Sequence, residues 1–292
     1  MENYEENCNQ FVAVPNILIY KGSDYELATF VALSLSKLYI DKSIAAMSVM
    51  GLCKKMGYSC IDRRKDSFYS SIKTIIIQFK KNGWVSNCPD KFNPSQFYEI
   101  KLNDFFFPES EFTLLSLQEL KTILGCKEYK SKTALVKTFL YVKSFMNITY
   151  KKNPDSAISA YYVAGTVASR TLGMSRNKYD FCINILCWLG LLVCRQTGSY
   201  YDETGIKNAP NIYVLNDDRA EDNIRGAMSR LRYKLLNPQY GNGDNFMPIV
   251  YIGKTIKKDK SESNVKDCIQ DDEEDNGDWG DPNPMERNYY YY

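Results

Sequence analysis

The most regular pattern of hydrophobic and polar positions covers residues 161–215. Residues 161–172 carry apolar side chains on one side and stop at Gly173, a residue that tolerates the left-handed conformation of a helix end. Ser175 is a predicted N-cap for a second helix over residues 176–189. In that helix apolar side chains recur at i, i+3, i+4 and i+7, which predicts a buried face formed by Tyr179, Cys182, Ile183 and Leu186.

Two short apolar segments after this helix pair predict a hairpin. Gly190 ends the second helix, residues 191–194 form a predicted strand, and residues 211–215 can pair with it. The polar residues 196–210 then form the loop between the strands. A helix-turn-helix with such a hairpin, or wing, indicates a winged-helix DNA-binding module. Any packed helical pair with a hairpin behind it gives the same pattern.

The same pattern occurs earlier in the chain. Residues 52–59 (Leu-Cys-Lys-Lys-Met-Gly-Tyr-Ser) align with residues 168–175 (Ala-Ser-Arg-Thr-Leu-Gly-Met-Ser). The four buried positions of the later helix are matched, at an offset of 107, by Ile72, Ile75, Ile76 and Phe79. The earlier pattern has nine more residues between its turn and its second helix, and its wing strands are predicted over residues 84–86 and 97–102. Such a repeat indicates a duplicated unit.

The remaining elements complete the predicted fold class. Residues 11–20 are apolar and, because of Pro15, predicted to be extended. Ser23 and Glu26 form a predicted capping box. Further helices are predicted over residues 27–39, 45–56, 112–124, 132–150 and 217–236. We expect a mainly α-helical α+β protein with small β-hairpin wings: winged helix-turn-helix domains over residues 10–104 and 111–216, a closing basic helix and short extension over 217–256, and a disordered acidic tail over 257–292.

The composition of the chain mainly excludes other classes of protein. The chain has 292 residues, of which 44% are hydrophobic and 25% charged, as in an ordinary globular protein. It contains no run of about 20 apolar residues, and its acidic start is unlike a signal peptide. The nine cysteines lack CxxC spacing and indicate reduced thiols. A cytoplasmic protein without a membrane partner is expected.

The chain has no histidine, which lowers the expectation of catalysis. Its absence excludes Ser-His-Asp and Cys-His nucleophiles, His-ligated zinc, and the paired-His metal site of rolling-circle nicking enzymes. Residues 253–255 end like a phosphate-binding P-loop, but Pro248 stands where the leading glycine belongs. We therefore predict no catalytic residue, no metal site, no cofactor and no enzymatic activity.

The net charge of +2 conceals a strong asymmetry. Residues 259–292 hold eleven acidic and three basic residues, a charge of −8, whereas the rest of the chain carries +10. A basic body with an acidic tail is a common arrangement in nucleic-acid-binding proteins. Duplex DNA is the predicted partner. The tail is expected to compete with DNA, to recruit replication machinery through Trp279 and its terminal tyrosines, or to serve solubility alone.

Candidate DNA-binding side chains cluster at the start of the second helix of each pattern. Arginine, lysine and asparagine there can contact phosphates and base edges, although a charged helix face is often only solvated. The earlier pattern supplies Arg63, Arg64, Lys65, Tyr69, Ser70 and Lys73. The later pattern supplies Ser175, Arg176, Asn177, Lys178, Phe181 and Asn184.

This arrangement resembles the replication initiator proteins of bacterial plasmids and phages and the DnaD-type replication proteins. The resemblance is carried by residues 11–16, by 52–59 with 72–85, and by 168–175 with 183–193. It implies binding of repeated origin sequences by both second helices and recruitment of replication machinery. Winged-helix transcription regulators share the architecture, and a protein-interaction scaffold that no longer binds DNA is a third alternative. The oligomeric state, including a homodimer, stays open.

Overall fold

The computed structural model describes residues 11–37, 41, 43–60, 64–65, 67–103, 112–152, 159–202, 205–236 and 247–250. The disordered tail predicted over 257–292 therefore lies outside the described residues, as does the whole junction at 104–111. In chain order the first elements are β1 (Phe11–Pro15), α1 (Asn16–Lys21), α2 (Asp24–Ser34), β2 (Ile44–Met47), α3 (Val49–Lys55), α4 (Phe68–Lys81), β3 (Val85–Ser86) and β4 (Tyr98–Leu102).

The later elements begin with the same strand-helix-helix order. They are β5 (Phe112–Ser116), α5 (Leu117–Gly125), α6 (Lys132–Lys152), α7 (Gly165–Leu172), α8 (Arg176–Trp188), β6 (Leu192–Arg195), β7 (Ser199–Asp202), β8 (Gly205–Asn208), β9 (Ile212–Leu215), α9 (Ala220–Leu236) and β10 (Met247–Val250). We call the elements from α2 to β4 the first copy and those from α6 to β9 the second copy.

Helices and small antiparallel sheets make up the fold, in agreement with an α+β class. In the first copy β2, β4 and β3 form one sheet with β4 in the middle. In the second copy β9 pairs with β6, and Tyr161 forms a bridge to Tyr213 on the other side of β9. Strands β1 and β5 form a separate pair, with Ala13 opposite Leu114.

Three predicted segments begin as strands or extended chain rather than as helix. Residues 45–56 were predicted to be one helix but divide into β2 and α3, and residues 112–124 divide into β5 and α5. The helix predicted from 161 begins at Gly165. The divisions fall at capping serines: Ser48 accepts a bond from the Gly51 amide, and Ser116 forms a capping box with Glu119. An apolar run of four or five residues fits strand and helix equally, and the cap separates them.

Two further predictions are corrected, one before the first copy and one within the second copy. Residues 11–20 were predicted to be extended throughout, but α1 follows β1 directly after Pro15, where proline is compatible with a helix start. The loop predicted over 196–210 contains the hairpin β7–β8, and β10 pairs with β7. This segment is therefore a structured β-ribbon rather than a loop.

Backbone geometry matches at equivalent positions of the repeat that the sequence predicts. Gly57 and Gly173, after α3 and α7, both have a left-handed φ, of 72° and 66°. Gly83 and Gly190, after α4 and α8, also match, at 75° and 71°. Each copy ends on an asparagine amide that donates to the second of these glycines, from Asn103 to Gly83 O (2.7 Å) and from Asn216 to Gly190 O (2.9 Å). Both copies therefore close in the same way.

Buried residues of both copies form one hydrophobic cluster. Helix α6 lies at its centre, since residues 133–142 are all buried and the helix packs against α1, α2, α5 and α8. Polar contacts also cross between the early and late parts of the chain: Thr113 Oγ1 donates to Asn16 Oδ1 (2.8 Å), Tyr58 and Thr133 share a hydrogen bond (2.7 Å), and Lys137 Nζ lies 3.5 Å from Asp24. The predicted domain boundaries at 104 and 111 stay a prediction.

Candidate nucleic-acid interface

Helix α4 is positioned by a buried stripe that leaves its opposite face outward. Ser67 caps the helix by accepting the Ser70 amide, and Phe68, Ile72, Ile76 and Phe79 are buried along one side. Helical geometry places the opposite face at Ser70, Lys73, Thr74, Ile77 and Lys81. The helix contains three lysines and no acidic residue. This face therefore has no carboxylate of its own helix to repel a phosphate.

Some of the predicted residues of the first copy are held by contacts within the protein, and others are exposed. The Ser70 hydroxyl donates to Arg64 O (2.6 Å) and so fastens the preceding turn to the helix. Lys73 Nζ lies 5.7 Å from the centre of the Tyr69 ring, and both side chains are half-buried. Arg64 and Lys65 are exposed at the helix start, whereas Arg63 lies outside the described residues. The basic residues and Ser70 thus lie around one helix end.

Helix α8 presents a different outer face. Ser175 caps it by accepting the Lys178 amide (3.2 Å), as predicted, and the predicted buried face is confirmed. Asn177 and Asn184 lie seven residues apart on the face opposite the core, Asn177 exposed and Asn184 half-buried. Lys178 is half-buried to one side of this face. The amides, rather than the lysine, occupy the centre of the outer face.

Two predicted residues of α8 are held by contacts within the protein. Arg176 Nε donates to Asp180 Oδ2 at 2.6 Å, and this bond raises the pKa of the arginine. Its guanidinium lies against Gly165, where an added Cβ would come within 2.3 Å of it. The Phe181 ring packs edge-on against Tyr129, with the ring centres 5.1 Å apart. Arg176 and Phe181 are therefore more constrained than the sequence indicates.

The sequence analysis missed several side chains of this surface. Thr74, Ile77 and Lys81 continue the outer face of α4, and a count of helical turns from Ile72 would have found them. Asp180 lies between the two asparagines of α8. Phe97, in the loop between β3 and β4, is 75% exposed, on the side that alternates with the buried residues of β4.

The described residues offer little for covalent or metal chemistry. Burial raises the pKa of the Cys53 and Cys182 thiols to about 12, so both stay protonated near neutral pH. Within the described ranges no three or more histidine, cysteine or acidic residues group as metal ligands would. In the same part of the chain, none of the helices combines the length and apolar composition needed to cross a bilayer.

Comparisons with known proteins leave the geometry as the only guide to function. No family model, curated protein or solved structure matches this chain. The two helices α4 and α8, in equivalent positions of the two copies, are therefore the candidate site on structural grounds.

Proposed function

We propose that this chain binds duplex DNA sequence-specifically through two winged helix-turn-helix domains, and that it initiates the replication of a plasmid or phage genome without enzymatic activity. One observation carries the proposal. The first copy runs helix, strand, helix, helix, strand, strand, and its last strand lies in the middle of the sheet. The second copy has the same order, with Tyr161 in the place of its first strand and the hairpin β7–β8 inserted between its last two strands. This order is the one expected of a winged helix, and it supports the proposal for each copy.

The outer face of α4 supports a role in affinity. Lys73 and Lys81 lie on it, and Arg64 and Lys65 lie exposed before its first turn. Lysine and arginine that contact phosphates release condensed counterions, which supplies most of the sequence-independent binding energy. Ser70 and Thr74 add hydroxyls that bond to phosphate or to a base edge.

The outer face of α8 supports a role in reading bases. An asparagine amide can donate to adenine N7 and accept from its N6 amino group, which distinguishes adenine from the other bases in the major groove. Asn177 and Asn184 provide two such amides on one face. The ion pair of Asp180 with Arg176 keeps the one carboxylate of this helix partly neutralised. Affinity is thus assigned mainly to the first copy and base discrimination mainly to the second.

A salt titration with matched variants tests DNA binding. The full chain is mixed with random-sequence duplexes, and affinity is measured between about 50 and 200 mM salt. Wild type should bind more weakly as salt rises, and the pair Lys73→Ala/Lys81→Ala should bind more weakly at every sequence, with a salt slope shallower by about two. The control pair Lys121→Ala/Lys127→Ala removes two exposed lysines on and after α5, and it should match wild type. Wild type that shifts no duplex would instead favour the interaction scaffold.

An origin assay separates initiation from transcription control. A plasmid whose only origin is the DNA flanking this gene should replicate when the protein is supplied. It should fail to replicate with the Lys73→Ala/Lys81→Ala protein. A wild-type protein that binds this DNA and changes transcription, but never supports replication, would make the chain a regulator.

A further inference from the structure

The loop between β3 and β4, residues 87–97, is turned by one backbone conformation that is uncommon for residues other than glycine. Asn87 has φ 53°, and no other non-glycine residue in the described ranges has a positive φ. Its side-chain amide donates to Glu99 O at 3.1 Å. Asparagine tolerates the left-handed region better than most residues, so the turn is kept by its own side chain.

The same loop is fastened to both helices of the first copy's helix pair. The Met50 amide, in the first turn of α3, donates to Pro94 O at 3.3 Å. Lys80 Nζ, in the last turn of α4, donates to Cys88 O (2.8 Å) and to Asp90 Oδ1 (2.9 Å). Because the loop is bonded to α3 and α4 at once, its position is set by the helices.

An aromatic anchor holds the end of the loop. The Phe92 ring is buried and packs edge-on against Tyr98, with the ring centres 5.1 Å apart. The Tyr98 hydroxyl accepts the Asn93 amide at 2.7 Å. Tyr98 is the first residue of β4, so the strand and the loop meet at a fixed side chain.

Phe97 precedes this anchor and faces the solvent. Neighbouring residues of an extended chain point to opposite sides, so the inward Tyr98 ring leaves Phe97 directed outward. Its 75% exposure is the highest among the large apolar side chains of the described residues. The flanking Ser95 and Gln96 are exposed and polar. A well-fixed loop therefore holds one aromatic ring away from the core.

We propose that Phe97 is an apolar wedge that enters the DNA minor groove beside the groove occupied by α4 and partly unstacks one base step. The inference rests on the DNA binding proposed above. In a helix-turn-helix the first helix crosses the phosphate backbone and the second lies in the major groove. Pro94, three residues before Phe97, is bonded to the first turn of α3, so the loop that carries Phe97 is fastened to the helix that would cross the backbone. Phenylalanine is among the side chains that proteins insert between bases, which kinks the duplex.

The test compares variants of the full chain on duplexes that wild type selects from a random pool. Pyrimidine–purine steps unstack most easily, so the selected sites should carry a TA or CA step at one fixed position. Phe97→Ala should weaken binding about tenfold and remove the bend, measured by energy transfer between dyes at the duplex ends. Phe97→Leu should keep most of the affinity and most of the bend, because leucine also serves as a wedge.

Two properties separate a wedge from a charge contact or a folding defect. Phenylalanine carries no charge, so the salt slope of Phe97→Ala should equal that of wild type. Phe11→Ala, which removes a 54% exposed ring from β1, should bind and bend DNA like wild type. Thermal midpoints of all variants should agree, because these rings lie largely outside the core.

Three results of these binding and bending measurements would overturn the role of Phe97 as a wedge. Wild type that binds and bends its duplexes, with Phe97→Ala equal to it in both respects, would overturn the wedge and leave DNA binding standing. A weaker Phe97→Ala complex with an unchanged bend would also overturn it. If wild type binds no duplex, the proposed function fails and the wedge fails with it.

Discussion

Asn177 and Asn184 are the residues on which base discrimination depends in this account. They lie seven residues apart on the face of α8 opposite the core, with Asp180 between them. Asn177→Ala or Asn184→Ala should each lower the discrimination between a selected duplex and its single-base variants by roughly 1–3 kcal/mol. Competition binding measures this difference. The control is Gln118→Ala, which removes an exposed amide from α5. Equal losses for every base at every position would show that neither asparagine reads sequence.

Titration of buried thiols predicts how stability depends on pH. Burial raises the pKa of Cys53 and Cys182 to about 12, whereas an unfolded thiol titrates near about 8.5. Burial also raises the pKa of Tyr58 and Tyr179. The folded chain thus keeps protons that the unfolded chain releases, so this stabilisation is complete below about pH 8.5 and is lost as the pH rises toward 12.

The urea midpoint is the corresponding measurement. It should stay level between about pH 7 and 8 and fall steadily from about pH 9 upward. The urea midpoint of the Cys182→Ala variant should fall less steeply with pH, because this variant lacks one of the groups whose pKa is raised. A midpoint that does not change up to about pH 11 would contradict the assignment of these groups as buried and neutral.

At the scale of the element, the turns between helices provide matched sites in the two copies. Gly57 and Gly173 have left-handed φ values, yet an added Cβ at either would meet no atom within 4 Å. Gly57→Ala and Gly173→Ala should therefore destabilise the fold through backbone strain alone, by about 1–2 kcal/mol each. Gly125→Ala is the control, since that glycine also has open space but no positive φ, and it should be neutral or stabilising. Denaturant midpoints compare the three. Equal effects at all three positions would contradict backbone strain as the cause, and unequal effects at Gly57 and Gly173 would contradict the equivalence of the two turns.

The sequence predicted the matching helix ends of the two copies because their signals are local. The glycines that end helices, the capping serines Ser23 and Ser175, and the spacing of apolar residues in α4 and α8 all act within a few residues. The cap at Ser67 is equally local but was found only in the structure. Local signals also placed the strands β3, β4, β6 and β9 within one or two residues.

Other features depend on contacts between distant residues and were therefore missed. Strands β1 and β5 pair across a separation of about one hundred residues, and each alone reads as a helix start or an extended segment. The contacts of Phe181 with Tyr129 and of Arg176 with Gly165 likewise join separate elements. Helical spacing gave Phe181 an outward position, but it cannot show that another ring covers that position.

At the scale of the whole molecule, the opposite charges of body and tail predict competition. Residues 259–292 carry −8 and the rest of the chain +10. A tethered segment acts at an effective concentration near about 1 mM, so even a weak attraction competes with DNA at low salt. Truncation after Lys258 should therefore tighten DNA binding at low salt and converge with the full chain as salt rises. Unchanged affinity with loss of a replication partner would assign the tail to recruitment, and no change in either would leave solubility alone.

Methylation protection of a selected duplex tests most directly whether both copies bind DNA. Guanine N7 faces the major groove, so a helix that lies there shields it from the reagent. The full chain should protect two separate blocks on one duplex. The variant Lys73→Ala/Lys81→Ala should weaken protection of one block first, and Asn177→Ala/Asn184→Ala that of the other. A single protected block that disappears with either variant, or no protection in a complex that forms, would contradict two DNA-reading copies.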